Sequence, residues 1–350
     1  MVGKLLYLLA AITAGFIFNQ LNIPAGWLLG ALTTGMICGI FINRFTFKRI
    51  SFKFALAFVG ANISLLLTLS TLKMIHHFLL PLFLTIIITI TAGFLFGIFL
   101  FKRSKGVDKI TAFFCCIPGG ASEIIGISGQ YGADDRLVAA FHTVRMTFFT
   151  LSIPLIVASI SPAVQNTVFV EQAVASISWK TVLFFALVMA VTLVLDHLFK
   201  IPGGTLVFSI LIGFLLTQFV FGVEQVPRFV AGIGQALIGA FVGIRFDKYV
   251  LYQILKIGPA TLTIVGMFFV LTLGNAYIFK WLTEVPFATS LISTVPAGAA
   301  EMSVVAIALN VDPTIVTSLH IIRVISLFLT LPFLLKFFMY LNKEYREEDL

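Results

Sequence analysis

Ile117-Pro118-Gly119-Gly120-Ala121-Ser122-Glu123 and Val295-Pro296-Ala297-Gly298-Ala299-Ala300-Glu301 are the two stretches that decide the fold. Each lies in a long apolar run and places a proline and a glycine where a helix would otherwise continue. Proline removes a backbone donor and clashes with the preceding turn, while glycine lets the chain leave the helix without steric cost. Backbone freed in this way is tolerated at membrane depth only where protein or a water-filled cavity satisfies it. We therefore expect a broken membrane helix at each stretch.

The composition is that of a membrane protein. Of the 350 residues, 59% are hydrophobic, only 11% are charged and 38 are phenylalanine. The mean hydropathy is +1.08. A soluble domain must cover itself with polar groups, and about a quarter of its residues are usually charged. The composition excludes a soluble enzyme, a DNA-binding domain and a disordered chain, and it predicts an all-α polytopic membrane protein.

The chain is a tandem duplication. Glu301 follows Glu123 by 178 residues, and the same shift carries Asp134 onto Asp312, His142 onto His320 and Arg145 onto Arg323. Random apolar sequences share Leu and Phe easily, but they do not share charged residues in register. The pattern predicts a membrane repeat at 1–160, a connector at 161–180, a second repeat at 181–341 and a charged tail at 342–350. The apolar segments are 4–19, 24–42, 51–69, 78–101, 109–133, 135–160, 181–199, 204–223, 229–246, 254–280, 285–309 and 313–341.

The basic residues indicate how the repeats are oriented. In the first half they cluster at 44–53 and 102–109, and in the second half at 245–256, which follows a different segment of its repeat. Cytoplasmic loops of membrane proteins are enriched in Lys and Arg. The net charge of +8 therefore indicates which loops face the cytoplasm rather than a nucleic-acid-binding function. The swapped bias favours inverted repeats with a cytoplasmic N-terminus. Inversion needs an odd number of crossings, so the broken fifth segment is expected to re-enter. The rival interpretation is a broken helix that crosses, giving parallel repeats.

Polar residues inside the apolar runs are the candidate site. The half-helix that begins after each break offers unpaired N–H groups and a positive dipole end to an anion. Glu123 and Glu301 are either functional intramembrane acids or caps of these half-helices. Our candidate substrate- or ion-binding residues are Pro118, Gly119, Gly120, Ser122, Glu123, His142 and Arg145 in the first repeat, and Pro296, Gly298, Glu301, His320 and Arg323 in the second.

The buried arginines leave two interpretations open. A guanidinium in the membrane needs a partner, and the nearest intramembrane acids in sequence are Glu123 and Glu301. One interpretation is a structural Glu–Arg ion pair that holds hairpin to helix. The other is an anion or carboxylate site, or a pair that substrate or a proton breaks during transport. The histidine three residues before each arginine is either a hydrogen-bonded residue of the bundle or a proton relay.

Other polar residues have simpler interpretations. Asp134 and Asp312 precede helices as N-caps, and Pro313 suits the first helical position. His76-His77 is placed in a loop with no metal site. Cys38, Cys115 and Cys116 lie in apolar runs, with neither a disulfide framework nor zinc spacing. No phosphate-binding loop or nucleophile elbow is present, and we expect neither cofactor nor metal.

The stretch 117–123, followed by Gln130-Tyr131-Gly132-Ala133-Asp134, Arg136-Leu137-Val138 and Arg145, resembles the AbrB family of bacterial membrane proteins. Ile23-Pro24-Ala25-Gly26 and the duplication fit as well. That family is often labelled ammonia monooxygenase, is linked to regulation of gene expression and is also called a transporter family. The resemblance implies a multi-pass protein of the bacterial cell (inner) membrane. Ala297 and Ala300 replace Gly119 and Ser122 in the second half, so its hairpin is expected to be the weaker ligand site.

The sequence therefore predicts a secondary transporter. Paired broken segments and symmetric intramembrane Glu, His and Arg support it, and a proton or sodium gradient is the implied energy source. The expected partners are the lipid bilayer and a small anionic or carboxylate-bearing substrate, without nucleic acid; a homo-oligomer is left open. The alternatives are a membrane regulatory protein that influences gene expression and a metal-dependent monooxygenase. We expect no enzymatic activity.

Overall fold

The computed structural model describes residues 2–42, 47–67, 69–104, 106–118, 124–125, 128–160, 178–199, 203–221 and 226–341. Within these ranges the regular structure is helical, and no strand is found. Six of the described helices are long and apolar enough to span a membrane. These findings confirm the predicted all-α polytopic membrane fold. Most of the predicted connector and all of the predicted tail lie outside the described residues.

Equivalent helices follow one another in the two halves of the chain. The first half contains α1 (Val2–Gln20), α2 (Gly26–Phe41), α3 (Arg49–Ser64), α4 (Leu69–Arg103), α5 (Lys109–Cys116) and α6 (Asp135–Ile160). The second contains α7 (Trp179–Phe199), α8 (Gly204–Leu216), α9 (Arg228–Gly243), α10 (Lys248–Ile257), α11 (Pro259–Thr283), α12 (Phe287–Thr294), α13 (Ala299–Ala308) and α14 (Pro313–Leu341). The starts of α2 and α8, of α5 and α12, and of α6 and α14 each differ by the 178 residues of the sequence repeat.

One pair of equivalent segments differs in conformation. Pro81 lies inside the continuous helix α4, whereas its equivalent, Pro259, begins α11 after a break. The residue before Pro259 is Gly258, with φ 69° and ψ −144°. A side chain disfavours such backbone angles, so Leu80 at the same position of the first repeat does not allow this break. Because α4 already begins at Leu69, His76 lies inside a helix, and the predicted loop at that position is wrong.

The repeats are inverted relative to each other. The equivalent helices α4 and α11 pack together. Phe78 near the start of α4 contacts Phe279 near the end of α11, with ring centroids 6.2 Å apart. Phe96 near the end of α4 contacts Phe268 of α11, with centroids 4.9 Å apart. Equivalent helices therefore run antiparallel, as two inverted repeats require, and parallel repeats are excluded.

The fifth segment of the first repeat re-enters instead of crossing. The backbone N–H of Asp134, where the segment ends, donates to the Thr111 hydroxyl near its start (2.9 Å). The chain thus leaves at the face where it entered. At the far end, a Cβ added to Gly93 would lie 2.9 Å from Pro118 Cδ. Gly93 precedes the end of α4 at Arg103 by ten residues, or about 15 Å, half of a hydrocarbon core of about 30 Å. The predicted re-entrant hairpin is confirmed for this repeat, and Pro118, the last described residue of its first arm, lies near mid-membrane.

One face of the bundle collects the basic loops. Lys53 forms an ion pair with Asp196, which places the start of α3 beside the end of α7. Arg245, after the end of α9, lies over the Phe52 ring at 4.6 Å. Arg136, at the start of α6, lines the same cavity as Arg245. We call this the basic face.

The scaffold is joined by close contacts between helices of different repeats. α2 packs along α9 through Gly35 and Gly39 on one side and Gly239 and Gly243 on the other. A Cβ on Gly243 would clash with the Leu32 carbonyl oxygen. Small residues four apart let membrane helices approach at backbone distance. The first repeat therefore depends on the second for part of its core.

We expect Gly243→Leu to destabilise the protein strongly. The new side chain meets backbone that cannot move aside, and overpacking of this kind costs about 1–3 kcal/mol or more. The thermal unfolding midpoint of purified protein measures the effect. Gly266→Leu on α11 is the matched control, because a Cβ there has nothing within 4 Å. Equal loss from both substitutions would contradict the glycine contact as the cause.

Single cysteines should show the inverted arrangement directly. On a background without the three native cysteines, the single-cysteine variants Lys48→Cys and Lys248→Cys should both react with a membrane-impermeant thiol reagent only from the cytoplasmic side. Lys180→Cys, at the start of α7 and thus on the opposite face, should react from outside. Reaction of positions 48 and 248 from opposite sides would contradict the topology.

Candidate functional site

Arg323 on α14 holds the tip of the second hairpin. Its Nη1 donates to the Val295 carbonyl at 2.6 Å and to the Thr294 carbonyl at 3.3 Å. Its Nη2 donates to the Ala297 carbonyl at 2.9 Å and to His320 Nδ1 at 2.7 Å. These carbonyls lie at the break between α12 and α13, where helical bonding ends. One guanidinium thus satisfies backbone oxygens that the break exposes inside the membrane.

The hydrogen bonds fix the state of both histidines. A guanidinium only donates, so the Nδ1 atom that it contacts carries no proton. The proton is therefore on Nε2, which donates to the Ile292 carbonyl in His320 (2.8 Å) and to the Phe114 carbonyl in His142 (2.9 Å). Both histidines are fully buried and neutral. Each links one arm of a hairpin to the arginine that binds it, which is a positioning role.

Arg145 on α6 has fewer hydrogen bonds than Arg323 among the described residues, which do not include position 119, the equivalent of Ala297. Its Nη2 donates to His142 Nδ1 at 3.0 Å, and its Nη1 reaches the Ile117 carbonyl only at 3.5 Å. The guanidinium lies 5.2 Å from the centre of the Phe268 ring of the second repeat, in cation–π distance. Its Nε has no hydrogen-bond partner among the described residues, although the residue is only 1% exposed. The described residues therefore leave one buried donor of Arg145 without an acceptor.

The structure does not form the Glu301–Arg ion pair considered in the sequence analysis. Among the described residues no carboxylate lies within 4 Å of the nitrogen atoms of Arg145 or Arg323. The ion pair that these residues do form, Lys53–Asp196, lies elsewhere, at the basic face. Glu301 is 3% exposed and folds back over the start of α13, with Oε2 filling the place that a Cβ on Gly298 would take. The interpretation of Glu301 as a cap of its half-helix is thus favoured. Glu123 lies outside the described residues.

The other residues singled out in the sequence are placed as follows. Pro118 and Pro296 are buried and directly follow the first arm of each hairpin. Asp134 and Asp312 accept hydrogen bonds from the first backbone N–H groups of α6 and α14, which confirms both N-caps. Four candidates of the first hairpin lie outside the described residues: Gly119, Gly120, Ser122 and Glu123. The cysteines are free, as the sequence predicts.

A cavity of about 630 Å³ opens at the basic face. One face of α6 forms a wall through Arg136, Ala139, Ala140, Thr143 and Met146. The end of α9, the start of α10 and the residues between them, together with Ile125 of the first hairpin, form the rest. Arg136 and Met146 are ten residues apart, so the wall reaches about 15 Å into the membrane.

The cavity ends where the two hairpins converge. Met146 lies at its inner end, and Met146 Cε is 2.9 Å from the place of a Cβ on Gly298 in the second hairpin. Arg145 is the next residue on α6. Arg145 is buried and does not line the cavity. The cavity thus extends from the basic face to a point beside Arg145 in the chain, without its guanidinium forming part of the lining.

Sequence reasoning missed several parts of this site. Phe268 and Met146 are ordinary apolar residues in apolar helices, and only their three-dimensional contacts distinguish them. Arg245 is visible in the sequence only as part of an orientation signal, and Arg136 only as part of the family resemblance. The carbonyls that bind Arg323 have no side-chain signature.

These features define a class of protein. The chain is a polytopic membrane protein of two inverted repeats, in which re-entrant hairpins meet buried arginines near the middle of the membrane. No solved structure matches the chain.

The chain belongs to the AbrB family. The family's profile, described as "Transition state regulatory protein AbrB", matches residues 27–339. The chain is 25% identical to a protein of Escherichia coli strain K12 named "Putative regulator AbrB", over 96% of this chain and 95% of that one. It is 24% identical to "Uncharacterized protein YhjN" of Bacillus subtilis strain 168, over 95% and 92% of the two chains. The resemblance stated from the residues is therefore confirmed.

Replacing each of the two arginines by lysine should lower the free energy of unfolding by different amounts. Arg323→Lys keeps the charge but cannot reproduce the forked bonds to two carbonyls, so we expect a loss of about 2–4 kcal/mol of stability. Arg145→Lys gives up one long bond to a carbonyl and should lose less. Thermal unfolding midpoints of the purified variants measure the difference. A larger loss from Arg145→Lys would contradict the assigned bonds.

Proposed function

We propose that the protein is a secondary transporter of a small carboxylate-bearing anion, driven by a proton or sodium gradient. The observation that carries the proposal is the pair of buried guanidiniums, whose assigned acceptors among the described residues are all neutral. A buried charge without a counter-charge is costly, and in membrane segments such residues usually serve a pathway for substrate or ions. A carboxylate that reaches these guanidiniums would supply a counter-charge.

The architecture supports the same proposal. Inverted repeats with interrupted helices near mid-membrane are common in secondary transporters, where rocking of one repeat against the other alternates access to the site. The cavity would then be the access route of one of the two states. Because Lys and Arg are enriched in cytoplasmic loops, we propose that the basic face and the N-terminus are cytoplasmic and that the membrane is the bacterial inner membrane.

Arg145 is the residue proposed to bind the carboxylate. Its Nε is a buried donor that lacks a partner among the described residues, and the one carbonyl bond assigned to it there, to Ile117, is long at 3.5 Å. Arg323, with three carbonyl bonds, is proposed to keep the second hairpin in place. The hairpin positions 119–123 remain proposed ligands on sequence grounds, and His142 and His320 position the arginines.

A regulatory function is the second candidate, because the Escherichia coli relative is named a regulator. A transporter influences gene expression when its substrate is a signal, so both descriptions can apply to one protein. A purified reconstituted system separates them, since it contains no gene-expression machinery. We propose that the chain is not an enzyme, and product analysis in the same vesicles tests that proposal.

Proteoliposomes test transport. Uptake of a panel of radiolabelled small carboxylates should appear when a pH or sodium gradient is imposed and should vanish when it is collapsed. Arg145→Gln should reduce uptake at least tenfold while the protein remains folded. Lys280→Gln, which removes the same charge at the end of α11, is the matched control and should transport normally. Uptake that is unchanged in Arg145→Gln would contradict the proposed site.

A further inference from the structure

The cavity on the basic face combines a charged mouth with an apolar interior. Its charged side chains are Arg136 and Arg245 on opposite walls, together with Asp247. Below them the lining of α6 is Ala139, Ala140 and Met146, with Thr143 as its polar member. The Thr143 hydroxyl donates to the Ala139 carbonyl at 2.8 Å, so its hydrogen is already engaged. The inner part of the cavity therefore offers mainly apolar surface.

The opposite wall has the same character. Ile125 of the first hairpin, Val242 at the end of α9 and Val250 of α10 face the cavity from there. Val250 also packs against Ala140 and Val144 of α6, which fixes α10 against the wall. The Asp247 carboxylate caps α10 by accepting the Val250 N–H at 2.9 Å. Its negative charge is thus bound to a structural position at the mouth.

We infer that the cavity selects an amphipathic monocarboxylate, an acid with one negative charge and an apolar body. This inference rests on the proposed transport function and names the substrate class. Two arginines and one aspartate give the lining a single net positive charge, which matches one carboxylate. The apolar interior receives the body of the acid. The volume of about 630 Å³ lies within the range of sites for small organic ligands, roughly 300–1,000 Å³.

The positions of the charged residues also set the order in which the acid would meet them. The carboxylate first meets Arg136 and Arg245 at the mouth, and the inner end at Met146 adjoins Arg145. The apolar walls between these points are about 15 Å long on α6. An acid without an apolar body gains nothing from them, whereas each buried methylene contributes to binding.

A homologous series measures this selection. Binding of radiolabelled hexanoate to the purified full-length protein is competed with acetate, propionate, butyrate, valerate and their neutral amides. We expect the affinity to rise about fourfold for each added methylene, which corresponds to about 0.8 kcal/mol. The amides should bind at least tenfold more weakly than the acids. Succinate, with a second charge and no apolar end, should compete no better than acetate.

Variants locate the site. Arg136→Gln and Arg245→Gln should each lower the affinity for hexanoate at least fivefold, while Lys280→Gln should leave that affinity unchanged. Thr143→Leu puts a larger side chain into the apolar part of the cavity, so it should lower the affinity for hexanoate more than the affinity for acetate. Unfolding midpoints establish that each variant is folded. If Thr143→Leu is not, Ala139→Val, a smaller intrusion from the same wall, replaces it; Arg136→Lys and Arg245→Lys, which keep the charge, should retain binding. Equal affinities along the series, or amides binding as tightly as acids, would overturn the inference.

The two proposals fail separately, because this binding assay needs no transport. Chain-length-dependent binding without uptake in vesicles would refute transport and leave the cavity's selectivity intact. Uptake of carboxylates with no dependence on chain length would refute the selectivity and leave transport intact.

Discussion

A carbonyl oxygen that is freed at a break inside a membrane needs a hydrogen-bond donor from the protein, and this constraint organises the molecule. Helix α12 ends and helix α13 begins at a Pro-Ala-Gly break, and Arg323 donates hydrogen bonds to the exposed carbonyl oxygens of Val295 and Ala297. An arginine suits the task because its fork offers several donors from one side chain. Its burial in turn requires the neutral His320, α14 and the inverted partner repeat around it.

The two repeats differ in the bonds that the described residues give to their arginines. Arg323 binds three carbonyls and His320, whereas Arg145 makes one long bond to a carbonyl and one bond to His142, and its Nε has no partner among the described residues. A second inequality lies in the fourth segment, which is continuous through Pro81 but broken before Pro259. Two copies of one unit thus differ at the fourth segment and in the bonds that the described residues give to their arginines. The difference supports the proposed division of roles, in which Arg323 holds the second hairpin and Arg145 binds the solute.

The sequence predicts the architecture better than the site. Proline, glycine and charged residues recur at a constant shift, so the duplication, the re-entrant hairpins and the inverted orientation follow from residue types alone. The Glu–Arg pair does not follow, because sequence counts charges but does not show that backbone carbonyls and a histidine can satisfy a guanidinium. The apolar segment 254–280 does not reveal the break at Gly258, because a glycine permits a positive φ but does not require it. Cavity residues such as Met146 carry no signal until their neighbours are known.

The glycine contact between α2 and α9 has a consequence for how the chain is made. Arg228, the first residue of α9, follows the end of α2 at Phe41 by about 190 residues. At a synthesis rate of about 5–20 residues per second, roughly 10–40 s separate the appearance of the two helices. During that interval the small-residue face of α2 stands against lipid, because the backbone that approaches Gly35 and Gly39 belongs to the second repeat. Insertion of the first half into the bilayer therefore precedes its folding, and the later half acts as the template on which the earlier one completes its core.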